Sequence, residues 1–184
     1  MSGGDLREDI EEVIIDEESL QERISEMGSE ITASYSPDTE LRMVCVLRGA
    51  VVFMADLCRS IDLPVTFDFM DVTSYAGTES SGTVRIIKDL EDDIGGEDVL
   101  IVEDIIDTGL TLKNVIDMLE TRKPASIKVA TLLDKPERRD YKHLNVDFNG
   151  FEIPNKFVVG YGLDYSEKYR NLPFIGVLKE EKYS

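Results

Sequence analysis

The stretch that decides the fold is VLIVEDIIDTGLTLKNVIDML, residues 99–119. Its first four residues are apolar and mostly branched, as in a buried strand, and from 111 to 121 apolar residues recur every three or four positions, as in a helix. Glu103, Asp104 and Asp107 lie between the two patterns. Carboxylates are seldom buried without partners, so this cluster at the edge of a core requires either solvent or a ligand.

Strand and helix patterns alternate along the rest of the chain. Strand-like runs occupy 43–47, 65–73, 84–87, 127–133, 156–161 and 174–178, and helix-like runs occupy 50–61 and 17–34, the latter with Asp16 as a candidate cap. This alternation indicates an α/β fold with a largely parallel central sheet. Ligands of such sheets collect at the carboxyl ends of the strands, which is where we expect Glu103 and Asp104.

Length and charge limit the function classes. With 184 residues, 42% of them hydrophobic, the chain is expected to form one domain over 1–184. Its net charge of -18 would repel the negatively charged backbone of a nucleic acid, so no nucleic-acid partner is expected. The first residues lack a secretory pattern, and no apolar run approaches the ~20 residues of a membrane helix. We therefore expect a cytoplasmic protein without a membrane partner.

The two cysteines and the single histidine of this chain do not form a metal-binding pattern. Cys45 and Cys58 lie in apolar runs without a CxxC pair, so we interpret both as small hydrophobic residues in a reducing compartment. The single histidine, His143, lacks partners at metal-ligand spacing. A zinc site is not expected.

The turn between the strand and the helix of the opening stretch has the chemistry of an anion site. Thr108, Gly109, Leu110 and Thr111 lead into the helix, where unpaired N–H groups and the positive end of the helix dipole favour a phosphate. The two threonine hydroxyls add donors. The turn is not a P-loop, because GxxxxGK[ST] is absent.

The turn that can bind a phosphate lies next to carboxylates that can only accept hydrogen bonds. This pair of features favours a ligand with a phosphate at one end and hydroxyl groups at the other. A ribose 5-phosphate unit would place its phosphate on the turn and its hydroxyls, or a bound Mg²⁺, against Glu103 and Asp104. Two other interpretations stay open on the residues alone. The carboxylates could solvate a strand end while Thr111 caps the helix, or they could form a receiver-type acidic Mg²⁺ site, which has no need of the threonine cradle.

The segment VEDIIDTGLTL, residues 102–112, closely resembles the phosphoribosyl-diphosphate motif of the type I phosphoribosyltransferases, in the form found in members that act on 6-oxopurines. The resemblance covers nearly the whole chain and includes LRG at 47–49, SY at 74–75, LLDK at 132–135, GFEIPNKFVVGYGLDY at 150–165 and YRNLP at 169–173. It implies a mostly parallel sheet flanked by helices. It also implies a small hood from the N- and C-terminal segments and a mobile lid at about 74–83 that opens with Ser74 and Tyr75.

This resemblance implies a purine salvage enzyme. The expected reaction transfers the 5-phosphoribosyl group of phosphoribosyl diphosphate to hypoxanthine or guanine, giving IMP or GMP and pyrophosphate, with Mg²⁺ as cofactor and a homodimer or homotetramer as the assembly. Xanthine remains an open alternative acceptor. A ligand-sensing regulator with the same fold is the rival from another class, but it is expected to lack the base-facing acid, the lid or the purine lysine, all of which are present.

The resemblance also assigns residues to the phosphoribosyl diphosphate. The implied set is Arg48, Gly49, Glu103, Asp104, Asp107, Thr108, Gly109, Leu110, Thr111 and Arg170. Glu103 and Asp104 would bind the ribose hydroxyls, partly through the metal, and Asp107 would be the catalytic acid/base at the purine N7. Some members carry lysine where this chain has Leu110. The turn at 47–49 often contains a cis peptide in this family.

On the purine side the implied residues are Lys135, Phe157, Val158 and Asp164. Lys135 would donate to the purine O6, Phe157 would stack on the base and the Val158 backbone would pair with its edge. Asp164 would also help Glu103 and Asp104 to hold the metal. A donor facing O6 disfavours the amino group of adenine, by a factor of order 10⁴ in favourable cases, so adenine is expected to be a poor substrate.

Overall fold

A computed structural model describes residues 6–74 and 84–184. The described strands are β1 (Ile10–Ile15), β2 (Leu41–Leu47), β3 (Val65–Ser74), β4 (Val84–Lys88), β5 (Asp98–Ile106), β6 (Ser126–Asp134), β7 (Phe148–Glu152), β8 (Val158–Val159) and β9 (Ile175–Leu178). The α-helices are α1 (Glu17–Ala33), α2 (Val51–Arg59) and α3 (Leu110–Glu120). None of these helices is long and apolar enough to cross a bilayer.

The central sheet has the order β4-β3-β2-β5-β6-β7. All neighbouring pairs run parallel except β3 with the edge strand β4. The middle strands β2 and β5 contribute apolar side chains to two core clusters. They are apolar on both faces because both faces of a parallel sheet are usually covered. The predicted α/β architecture with a mostly parallel sheet is confirmed.

Helix α1 begins where the sequence predicts it. The Asp16 carboxylate accepts a hydrogen bond from the Ser19 N–H at 2.8 Å, which satisfies one of the free donors of the first turn. The side chains at helical spacing face inward and are buried: Leu20, Ile24, Met27 and Ile31. This stripe packs α1 on the core.

Strand β5 continues four residues beyond its apolar start, so Glu103 and Asp104 lie inside the strand and not after it. The reason is pairing: β6 runs beside it, with Glu103 opposite Thr131 and Ile105 opposite Leu133. Ladder hydrogen bonds therefore hold the backbone of the acidic residues in place.

A second sheet with the order β1-β9-β8 was not expected in this form. The sequence patterns include no strand before residue 43, yet β1 forms in the acidic N-terminal segment and pairs with β9, with Ile15 opposite Ile175. Strand β8 is shorter than the predicted 156–161, because Gly160 and Gly162 adopt φ +101° and Tyr161 φ +50°, which turn the chain. Strand β7 carries no clear alternation, and the strand patterns did not include it.

Candidate active site

A cleft with a volume of about 590 Å³ lies at the carboxyl ends of β2, β3 and β5. Its walls include the turn after β2, the acidic end of β5, the start of α3 and three residues from the segment after β8. The predicted residues that line it are Arg48, Gly49, Glu103, Asp104, Asp107, Thr108, Gly109, Thr111, Asp164 and Arg170. The structure therefore gathers residues that are far apart in the chain.

Two adjacent carboxylates, the buried Glu103 and the partly buried Asp104, lie on one wall. Glu103 is 6% exposed, and burial, reinforced by the charge of Asp104, raises its pKa well above the usual value. Burial likewise raises the pKa of Asp104 to about 6, although a hydrogen bond from the Ile105 N–H at 2.7 Å works in the opposite direction. Within the described residues neither carboxylate forms an ion pair, so a bound cation or hydroxyl donors would stabilise the ionised form of both.

The turn after β2 presses directly on Asp104. The Leu47–Arg48 peptide bond is cis. A Cβ on Gly49 would lie 1.6 Å from Asp104 Oδ2, so the position has no room for a side chain. From the other side, a Cβ on Gly162 would lie 2.1 Å from the Gly49 carbonyl oxygen. Two glycines thus allow three backbone segments to meet at the cleft.

The predicted anion cradle has the geometry of a helix N-terminus. Gly109 precedes α3 with φ +84°, and the first helical hydrogen bond runs from the Lys113 N–H to the Gly109 carbonyl at 2.9 Å. The N–H groups of the first turn therefore point out of the helix. Behind the turn, the Thr108 carbonyl accepts from the Asp140 N–H at 3.0 Å. The loop after β6 thus supports the cradle.

Asp107 lies at the rim and pairs with a residue that the motifs did not indicate. Arg138 donates through Nε to Asp107 Oδ1 at 2.9 Å, and both side chains are about half exposed. Lys135, on the same loop, is 8% exposed, and its N–H donates to the Ile106 carbonyl at 2.9 Å. Burial lowers the pKa of Lys135, while the nearby charge of Asp107 opposes the change.

The far end of the cleft holds a chain of ion pairs. Arg170 contacts Asp164 at 3.0 Å and Glu167 at 3.2 Å, and Glu167 also contacts Arg48 at 3.3 Å. Arg170 further donates to the Gly162 carbonyl at 2.7 Å. Asp164 therefore lies with the arginines at this end of the cleft.

Some predicted site residues lie outside the cleft walls. Leu110, Lys135, Phe157 and Val158 do not line it, although Leu110 is the first residue of α3 and Lys135 is on the same loop as Arg138. Phe157 is 39% exposed and Val158 is buried in β8. Of the predicted lid, Ser74 is the last residue of β3, and Tyr75 with the rest of 75–83 lies outside the described residues.

Four residues at or beside the site had no motif to reveal them. Asp71 and Thr73 line the cleft from the end of β3, and Glu167 joins the arginines. Asp71 could have been inferred, because it lies opposite Leu47 in the parallel pair and so at the same sheet edge. Glu167 and Arg138 left no signal in the local pattern, since surface charges of this kind are common.

Known proteins resemble this chain over almost its full length. The family profile for the phosphoribosyl transferase domain matches residues 15–166. The hypoxanthine-guanine phosphoribosyltransferase of Bacillus subtilis is 53% identical over 179 residues, which cover 97% of this chain and 98% of that protein. A protein of the same name from Streptococcus thermophilus is 49% identical over 180 residues, 97% of this chain and 99% of its own.

Solved structures agree with the sequence comparison. The crystal structure of a hypoxanthine phosphoribosyltransferase from Staphylococcus aureus superposes with a TM-score of 0.93 at 48% identity and covers 100% of both chains. The hypoxanthine-guanine phosphoribosyltransferase of Bacillus anthracis gives a TM-score of 0.88 at 46% identity, over 92% of this chain and 99% of that one.

The chain, with its mostly parallel sheet and the cleft at the carboxyl edge of that sheet, belongs to the phosphoribosyltransferase family. Within that family, the relatives it matches along its whole length are hypoxanthine-guanine phosphoribosyltransferases.

Proposed function

We propose that this chain is a purine salvage transferase that moves the 5-phosphoribosyl group of phosphoribosyl diphosphate to hypoxanthine or guanine, giving IMP or GMP and pyrophosphate. The observation that carries the proposal is that the adjacent carboxylates of Glu103 and Asp104 lie beside the helix N-terminal cradle in one cleft. The near full-length similarity to enzymes of that name supports the choice of acceptor.

The two ends of a ribose 5-phosphate unit fit the two halves of the cleft. The 5'-phosphate would lie on the N–H groups from Thr108 to Thr111, where the helix dipole favours an anion. Leu110 contributes its backbone there and no charge. The ribose hydroxyls would donate to Glu103 and Asp104, which only accept when ionised.

The same carboxylates suit Mg²⁺. These carboxylates have raised pKa values and form no ion pair among the described residues, although the charge of Arg170 acts on Asp104, and both features favour a bound cation. No three His, Cys, Asp or Glu side chains of residues 6–74 and 84–184 cluster as a complete metal site. Mg²⁺ usually takes one or two carboxylates and fills its shell with water and substrate oxygens, so Glu103 and Asp104, with help from Asp164, would hold it. When bound, it would neutralise charge on the leaving pyrophosphate.

Asp107 and the purine-side residues would manage the base. Bond formation at N9 changes the acidity of N7, so a rim carboxylate at Asp107 would hold or move the proton there. Lys135 would donate to O6, Phe157 would stack on the ring and the Val158 backbone would pair with the base edge. These three purine-side residues lie outside the walls of the cleft.

Arginines would steady the leaving group. Arg170 already contacts Asp164 and Glu167, and Arg48 contacts Glu167, so the carboxylates hold both guanidinium groups near the cleft. Backbone N–H groups of the Gly49 turn would add donors. Breaking the C1–O bond builds negative charge on pyrophosphate, which these groups would stabilise.

The test pairs two variants that break the same ion pair. Product formation is measured with phosphoribosyl diphosphate, Mg²⁺ and each of hypoxanthine, guanine, xanthine and adenine, for the wild type, Asp107→Asn and Arg138→Ala. We expect IMP and GMP from the wild type, little AMP, and a fall of about 10² to 10⁴ in kcat for Asp107→Asn. Arg138→Ala removes the same exposed contact and should keep most of the activity. Absence of product from every base would contradict the proposal.

We also propose a homodimer or homotetramer in the cytoplasm. Support for association comes from an apolar groove between α2 and β3 that includes the exposed side chains of Val51 and Phe67. Free thiols at Cys45 and Cys58 are consistent with a reducing compartment. We propose that the chain forms one domain, with the β1-β9-β8 sheet as its hood. Light scattering of the purified protein tests the assembly.

A further inference from the structure

Phe157, the residue proposed to stack on the purine, belongs to a small aromatic cluster. The ring of Tyr183 stacks on it with a centroid distance of 4.8 Å and an interplanar angle of 22°. Tyr165 meets Phe157 edge-on at 5.7 Å and 86°. The Phe157 carbonyl accepts from the Leu178 N–H at 3.0 Å, so the backbone below the ring is also held.

Tyr183 follows a short 3-10 turn, Glu180–Lys182, that contacts between the two ends of the chain hold in place. Lys182 pairs with Asp9 at 2.8 Å, and the Tyr169 hydroxyl donates to the same carboxylate at 2.8 Å. Both hydrogen bonds lower the pKa of Asp9. The Lys179 N–H donates to the Asp9 carbonyl at 3.0 Å. Asp9 thus links the N-terminal segment to the turn that carries Tyr183.

In this arrangement one face and one edge of the Phe157 ring contact other aromatic rings. Tyr183 lies on one face and Tyr165 at an edge, yet Phe157 remains 39% exposed. A planar side chain held in this way presents its remaining face in one orientation. A flat ligand that stacks on a fixed ring loses less freedom on binding than one that must first order the ring.

We propose that Tyr183 is a positioning residue of the purine site, which acts by holding the Phe157 ring for a flat purine base on its opposite face. The inference rests on the proposed function and deepens it, because it adds the turn anchored on Asp9 to the base-binding side. The base is the only substrate part concerned, so the diphosphate end of the cleft is expected to be unaffected.

The experiment compares the wild type with Tyr183→Ala, Tyr183→Phe and Glu181→Ala in full-length protein. Glu181 is an exposed residue of the same turn and serves as the matched control. Initial rates are measured while hypoxanthine and phosphoribosyl diphosphate are varied separately, and each variant is melted to compare stability.

For Tyr183→Ala we expect the KM for hypoxanthine to rise roughly 3- to 10-fold, the size of one aromatic pair, with the KM for phosphoribosyl diphosphate within about 2-fold of the wild type. Tyr183→Phe keeps the ring and should restore the wild-type KM, and Glu181→Ala should leave it unchanged. An unchanged or lowered hypoxanthine KM in Tyr183→Ala, or an equal rise in both KM values, would overturn the inference while the wild type remains active. A wild type inactive with every 6-oxopurine would overturn the proposed function and this inference with it.

Discussion

The Cα of Gly49 lies so close to the carboxylate of Asp104 that a Cβ at this position would be 1.6 Å from Oδ2. A methyl group must therefore displace either the turn or the carboxylate proposed to bind ribose and metal. We expect Gly49→Ala to lower kcat/KM for phosphoribosyl diphosphate by at least about 100-fold, since small misplacements at a reacting centre have effects of this size. Steady-state kinetics with saturating hypoxanthine measures it.

Gly95 offers the matched control for this substitution. A Cβ there would lie 3.4 Å from the nearest atom, Asp93 Oδ1, which is an ordinary contact. Gly95→Ala should retain wild-type kinetics. Full activity in Gly49→Ala would show that the turn and the carboxylate adapt, and would remove the close contact from the proposed mechanism.

Asp104→Asn should stabilise the ligand-free protein in a pH-dependent way. Burial raises the pKa of Asp104 from 3.8 to about 6, so the folded state binds the proton more tightly than the unfolded state. The resulting penalty is absent below pH 4, grows as the pH rises to 6 and is complete above it, at up to about 3 kcal/mol. We expect the variant to melt roughly 6 to 12 °C higher than the wild type at pH 7.5, with little activity.

Thermal unfolding in a chelator, from pH 4 to pH 8, measures this difference. The advantage of Asp104→Asn should shrink as the pH falls toward 4. Asp62→Asn, at an exposed position, should follow the wild type at each pH. A stability difference that does not change with pH would contradict the assignment of the penalty to ionised Asp104.

Arg139→Met should destabilise the loop that carries Lys135. Arg139 makes two hydrogen bonds to Asp134, at 2.8 and 2.7 Å, and Asp134 is only 4% exposed. Removing the arginine leaves the buried Asp134 carboxylate without its cationic partner, with only the Asn149 amide still donating to it at 3.4 Å. We expect this loss to cost about 3 kcal/mol and to lower the melting temperature by roughly 6 to 12 °C.

Calorimetry of three variants separates this effect from a general loss of charge. Lys113→Met breaks an exposed pair with Asp117 and should change the melting temperature by less than about 2 °C. The double variant Asp134→Asn with Arg139→Met removes both charges and should recover part of the loss. Equal melting temperatures for Arg139→Met and Lys113→Met would refute the prediction.

Lys135→Gln should weaken the choice between oxo and amino purines. A lysine only donates, whereas a glutamine amide both donates and accepts, so it tolerates the amino group of adenine. We expect kcat/KM for hypoxanthine to fall about 10² to 10³-fold and the preference over adenine to shrink. Competition assays with both bases measure the ratio, and Lys142→Gln, at an exposed position on the same loop, is the control.

Much of the fold could be predicted because its determinants are local. The apolar spacing of α1, the Asp16 cap and the branched run of β5 each depend on neighbours within a few residues. The phosphate cradle is local in the same sense, since Gly109 and the first turn of α3 are adjacent in the chain. β1 could not be predicted, because its acidic residues interrupt the strand pattern and its pairing partner, β9, lies at the other end of the chain.

The sequence was sufficient to predict most of the central elements and, through the residues from Glu103 to Thr111, the family. The tertiary structure was needed to show that Gly49 presses on Asp104, that Arg138 pairs with Asp107 and that Tyr183 covers Phe157. Such contacts cannot be inferred from apolar periodicity, because hydrophobic burial is non-directional. Periodicity indicates which face of a helix or strand is buried. Strand order and register determine which residues, distant in sequence, are in contact.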